Sequence, residues 1–135
     1  MKGIFIPANL TDPIREVEVE EAYPDVNNII NQDGRDVWIE IVHSPLLHAL
    51  VQPEYDPFKR TGGTRLPSLV MVVDEEGVSK QLGLNSRASQ LYDPANHGYI
   101  FGDAVVFGEA ETEAGVDLVD VPEKITVEMI EVLGS

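Results

Sequence analysis

Apolar and polar positions switch between a period of two and a helical period along this chain, and the switches mark out its elements. Residues 2–7 (KGIFIP) are an apolar run closed by Pro7, which predicts a short strand. In 14–21 (IREVEVEE), Val17 and Val19 alternate with Glu16, Glu18 and Glu20, the pattern of a half-buried strand. The ANLTD link makes these two runs an antiparallel pair. Over 23–34 the spacing turns helical: Val26, Ile29 and Ile30 share a stripe, Asp25 is placed as N-cap after Pro24, and Gly34 is a stop. Residues 36–44 alternate again, with Val37, Ile39 and Ile41 against Trp38, Glu40 and Val42.

The run 68–77 (SLVMVVDEEG) is continuously apolar up to a turn at Glu76 and Gly77, which predicts a central strand buried on both faces. Residues 98–109 (GYIFGDAVVFGE) predict another strand, with Gly102 inside it as a bulge or a close backbone approach. Residues 117–122 (DLVDVP) predict a short extended segment. The tail, 124–133, fits a strand through Ile125, Val127 and Met129. It fits a helix capped by Thr126 through Ile125, Met129, Ile130 and Leu133, and the helix is preferred.

Only 44–67 breaks the pattern. Pro45, Pro53 and Pro57 precede FKRTGGTRLP, so this is an irregular excursion with one helical turn at LLHALV; loops of this length are often functional. The elements add up to one α+β domain over 1–135: a mixed, mostly antiparallel sheet of about five strands, with two or three short helices packed on it. A chain of this size buries roughly 68% of its unfolded surface, which suits a single core.

Between the 68–77 and 98–109 strands lies LGLNSRASQLYD (82–93). With Asn85 or Ser86 as N-cap, RASQLY makes about two helical turns whose Ala88, Leu91 and Tyr92 face the sheet. Arg87 then falls in the first turn, where the helix dipole disfavours a cation by roughly 0.3–1 kcal/mol. Two compensations are open. One is a salt bridge to Asp93 or Asp103 that fastens the helix to the next strand. The other is an anion site, in which free backbone N–H groups, the Ser86 and Ser89 hydroxyls and Arg87 converge on a phosphate or carboxylate.

Charge changes the picture most. Twenty-four acidic against nine basic side chains give −15, with nine acidic and three basic over 1–45, nine and one over 96–135, and six and five over 46–95. Such a chain is not expected to bind nucleic acid directly, since phosphates reward lysine and arginine. The acidic surface serves solubility, or it imitates DNA for a DNA-binding protein. The near-neutral middle, with Lys59, Arg60, Arg65 and Arg87, is the one place for an anionic ligand. There is no cysteine, which fits a reducing compartment. No apolar run reaches the roughly 18 residues of a membrane helix, and the N-terminal apolar stretch is too short for a signal peptide. His43, His48 and His97 lack metal-site spacing, and neither a GxSxG elbow nor a phosphate loop is present beyond a weak GGT at 62–64. The reading therefore leans away from an enzyme and expects neither cofactor nor metal.

The order of these segments, and VVDEEG, LGLNSRASQLYD and GYIFGDAVVFGE in particular, resembles the domain-of-unknown-function 3846 family. Asp74, Glu75, Gly77, Leu84, Asn85, Arg87, Ala88, Leu91, Tyr92, Gly102, Asp103 and Val106 fill that family's pattern. The likeness covers nearly the whole chain except 44–67, which is longer than the family usually shows. It implies a small protein of bacteriophages and mobile elements, and it carries no activity with it. On that resemblance the expectation is a cytoplasmic accessory protein, in the host cytoplasm if phage-encoded, that binds and modulates a host component. Alternatives are a binder of an anionic nucleotide-like ligand and a DNA mimic. The candidate contact residues are Asn85, Ser86, Arg87, Ser89, Tyr92, Asp103, Lys59, Arg60 and Arg65. Trp38, on an otherwise exposed strand face, leaves room for a homodimer or higher oligomer.

Overall fold

Five apolar residues in succession, 69–73, leave no face to give to water, so the strand they form has to be covered on both sides. The computed structural model describes residues 1–20, 22–30, 37–51, 68–92, 98–113 and 115–135. In chain order they form β1 (Lys2–Ile6), β2 (Arg15–Glu18), α1 (Ala22–Ile30), β3 (Ile39–His43), α2 (Pro45–Val51), β4 (Ser68–Asp74), α3 (Ser86–Tyr92), β5 (Ala104–Thr112), β6 (Gly115–Val119) and α4 (Val127–Leu133). The expected α+β architecture is what forms, with six strands and, among the described residues, four helices.

The sheet runs β2-β1-β5-β4-β3, with β6 also on β5, and its pairings are antiparallel. All seven residues of β4 are buried. Its alternation divides the core in two. Leu69, Met71 and Val73, with Ile4, Ile6, Ala104 and Val106, face α2, α3 and α4 through Leu47, Leu91 and Ile130. Val70 and Val72, with Phe5, Val105 and Phe107, face α1 through Val26 and Ile30. Burying each such side chain is worth about 1.5–3 kcal/mol, so the sheet is held from both faces.

One edge of β5 serves two partners. Ile6 pairs with Ala104 and Ile4 with Val106, while Val119 pairs with Gly108 and Gly115 with Thr112. The chain after β6 must leave the sheet where β1 begins. There the Val121 N–H donates to the Lys2 carbonyl at 3.0 Å, and the Lys2 N–H donates to Asp120 Oδ1 at 2.9 Å. A Cβ on Gly108 would stand 2.4 Å from the Asp120 carbonyl oxygen. Gly108→Ala is therefore expected to push β6 off β5 and cost about 1–3 kcal/mol in thermal unfolding. Gly83→Ala, where a Cβ meets nothing within 4 Å, should leave stability near the wild-type value.

Several boundaries differ from the sequence pattern. α1 starts at Ala22, so Asp25 lies in its first turn instead of capping it, and its carboxylate accepts the Glu20 N–H at 2.7 Å. Gly34 lies outside the described residues. β5 begins at Ala104 because Gly102, at φ +92°, turns the chain just before it; residues 98–103 contribute only a bridge from Phe101 to Leu84. The tail is the helix, capped as expected: Thr126 accepts the Met129 N–H. In the excursion, Pro45–Val51 is α2, introduced by the fully buried Ser44, whose hydroxyl donates to the Leu91 carbonyl and so ties α2 to α3. Residues 52–67 lie outside the described residues.

Candidate functional site

The motif residues meet on the protein's own backbone. Asn85 is fully buried. Its Oδ1 accepts the Ala88 N–H at 3.0 Å, which makes it the N-cap of α3. Its Nδ2 donates to the carbonyls of Ile6 at 2.9 Å and Gly102 at 3.0 Å. One amide side chain thus joins the end of β1, the entry to β5 and the start of α3, with every hydrogen-bonding group satisfied. Ser89, 3% exposed, accepts the Ile100 N–H at 2.8 Å, so its hydroxyl is not presented to a ligand.

Arg87 meets backbone carbonyls and not Asp103, while the other expected carboxylate, Asp93, lies outside the described residues. The Arg87 Nη2 lies 2.7 Å from the Pro7 carbonyl oxygen, 3.1 Å from that of Asn9 and 2.9 Å from that of Asp12. The guanidinium is drawn off the helix end onto three carbonyl dipoles of the 7–12 loop, itself folded by an Asn9 side chain that accepts the Thr11 N–H. No salt bridge to Asp103 forms; the Asp103 carboxylate takes the Ala8 N–H at 2.8 Å and helps hold the same loop. The Arg87 Nε is buried without a hydrogen-bond partner. Arg87→Ala should lower stability by about 1.5–3 kcal/mol, the scale of a hydrogen bond from a charged donor. Arg87→Lys should recover part of it, because the three carbonyls converge on one nitrogen and an ammonium brings three donors, but on a shorter stem. An anion-site role would instead show as lost ligand binding at unchanged melting temperature.

Ser86 is half-buried at the start of α3, and Tyr92 packs partly buried against the core beneath α2 and α4. Lys59, Arg60 and Arg65, together with Asp93 and His97, lie outside the described residues. His43 Nε2 is 3.2 Å from Oε1 of the buried Glu109, and its ring stacks on His48 with centroids 6.1 Å apart. Among the described residues no group of three His, Asp or Glu is placed to hold a metal ion, and no helix is long and apolar enough to cross a membrane.

The distribution of charge on the folded chain goes beyond the net count. Each basic side chain among the described residues is engaged by the protein itself. Lys2 lies 4.0 Å from Glu16, and Arg15 stacks over the Phe5 ring at 4.5 Å. Lys80 forms a 2.9 Å pair with Asp74 in which both side chains are almost inaccessible, 5% and 2% exposed. Arg87 is on its carbonyls, and Lys124 caps α2 by donating to the Val51 carbonyl at 3.2 Å. Carboxylates, in contrast, are exposed among the described residues on four of the ten elements: Glu16 and Glu18 on β2, Glu40 on β3, Asp117 on β6, and Glu128 and Glu131 on α4.

Among the described residues, concave features interrupt this exterior at two places of note. A cleft of about 80 Å³ opens where β3 begins and β4 ends, between the 75–78 turn and residues 99–101, with Glu40, Glu75, Val78 and Tyr99 in its wall. A wider apolar shelf lies beside α4, formed by Leu50, Met129, Val132 and Leu133. The cleft went unseen in the sequence because its residues come from three separate stretches; the one local sign was Trp38 and Glu40 projecting from the same strand face. Comparison with protein-family models, with curated proteins and with solved structures finds no match.

Proposed function

We propose that this chain is a small acidic accessory protein, of the phage type that the resemblance implies, which acts in the host cytoplasm by covering a basic surface on a host protein rather than by catalysis. The observation that carries this reading is the asymmetry of charge. The described lysines and arginines each contact a group of the protein itself, Lys80 buried on Asp74 and Arg87 on backbone carbonyls, while Arg15 and Lys124 stay exposed among a larger number of exposed carboxylates, so the described surface is strongly negative. A field of that kind steers a basic partner and selects against acidic ones. Capture of an anionic nucleotide is supported less, because Arg87 and Ser89 are engaged by backbone groups.

The test is a comparison of baits in host lysate. Wild-type chain and a Glu113→Gln/Asp117→Asn/Glu123→Gln variant are expected to melt within a few degrees of each other, since these side chains are exposed. The wild type should retain a basic protein that the variant loses. Release of that protein by duplex DNA would make the protein a DNA mimic; retention of the same proteins by both baits would sink the reading.

A further inference from the structure

The cleft at the end of the sheet allows a more specific statement, which rests on the reading of the chain as a binder of basic partners. We propose that this cleft receives the side chain of a single arginine or lysine from the partner protein. Glu40 and Glu75 are exposed at its rim, and among the described residues neither carboxylate has a hydrogen-bond or ion-pair partner. The deeper carboxylate, Asp74, is already neutralised by Lys80, so the unsatisfied negative charge sits at the mouth. Val78 and Tyr99, 69% and 62% exposed, supply an apolar wall for an aliphatic stem. Trp38, 65% exposed, precedes the residue paired with Asp74, and its carbonyl accepts the Glu75 N–H at 2.7 Å. It therefore stands across from Glu75 on the strand face it shares with Glu40. Carboxylates beside aromatic rings attract a cation by both charge and ring quadrupole.

Size and rigidity agree with one side chain. At about 80 Å³ the cleft is far below the roughly 300–1,000 Å³ of a pocket that holds a whole small molecule. Its wall is set by Gly77, where a Cβ would lie 2.3 Å from the Phe101 carbonyl oxygen, so the turn closes directly onto the segment carrying Tyr99. The Leu82 N–H to Gly77 carbonyl bond, 2.9 Å, and the Gly102 N–H to Gly83 carbonyl bond, 2.8 Å, brace the two walls. The described cations of the chain itself are all engaged elsewhere or, in the case of Lys80, beneath the mouth.

The experiment uses a nonapeptide of alternating glycine and arginine and its neutral citrulline counterpart, titrated at low salt. Trp38 is the only tryptophan and lies two residues before Glu40, beside the cleft and not in its wall, so its emission reports binding next to the cleft. The arginine peptide should shift that emission, and the citrulline peptide should not. Glu40→Gln/Glu75→Gln should weaken arginine-peptide binding about tenfold, while Glu128→Gln/Glu131→Gln, an equal charge loss on α4, should change it by less than about twofold. Tyr99→Ala should also weaken binding at unchanged melting temperature. Equal losses from the two double variants would overturn the cleft while leaving the broader acidic-surface reading intact. Equal binding of the citrulline peptide would overturn the cleft as well, and no binding of either peptide would overturn both.

Discussion

Asn85→Ala is expected to lower stability by roughly 3–4 kcal/mol, a drop of about 10–15 °C in melting temperature for a chain of this size. The substitution removes three hydrogen bonds and leaves the Ala88 N–H and the Ile6 and Gly102 carbonyls without partners in a site closed to water. Those orphaned groups dominate the cost, since an unmade buried bond is penalised more than a made one stabilises. Asn85→Asp should be worse than the near-isosteric change suggests, because it sets a carboxylate oxygen against two carbonyl oxygens. Thermal unfolding of the two variants checks both; a loss under 1 kcal/mol would mean that the three segments hold together without Asn85.

Lys80→Ala should be the other severe change, at about 3–5 kcal/mol, because it strands Asp74 as a buried uncompensated charge. Asp74 also accepts the Glu76 N–H at 2.9 Å, so the loss should spread into the 75–83 turn and distort the cleft wall. Asp74→Asn/Lys80→Met should recover much of the stability, since the charge is gone and the amide oxygen still serves Glu76. A double-mutant cycle by denaturant unfolding measures the coupling; additive losses would show that the two side chains do not act as a pair.

These costs fall on residues whose partners are distant in sequence, which explains what could be read from the chain and what could not. The apolar run of β4, the alternation of β2 and the caps of α3 and α4 are local patterns, set by period and by the chemistry of Asn85 and Thr126, and they appear in the structure as read. The partners of Arg87 lie 75 to 80 residues away in a loop whose carbonyls carry no sequence signature. Sequence reasoning could see that Arg87 needed compensation but looked for a carboxylate, because backbone acceptors are invisible in a list of side chains. The double use of one β5 edge was hidden for the same reason, although Gly108 marked the crowded point. The 82–93 motif accordingly reads as a fastening of the fold, with Asn85 and Arg87 inside it and the exposed carboxylates outside.

Action of the acidic exterior on a basic partner is read out by the dissociation constant of the captured complex at rising sodium chloride. Screening shortens the reach of surface charge to roughly 10 Å at 0.1 M and 3 Å at 1 M. Affinity should fall at least about tenfold between 50 and 500 mM salt, and the Glu113→Gln/Asp117→Asn/Glu123→Gln variant should flatten the dependence. An affinity that stays constant across that range would contradict action through the acidic exterior.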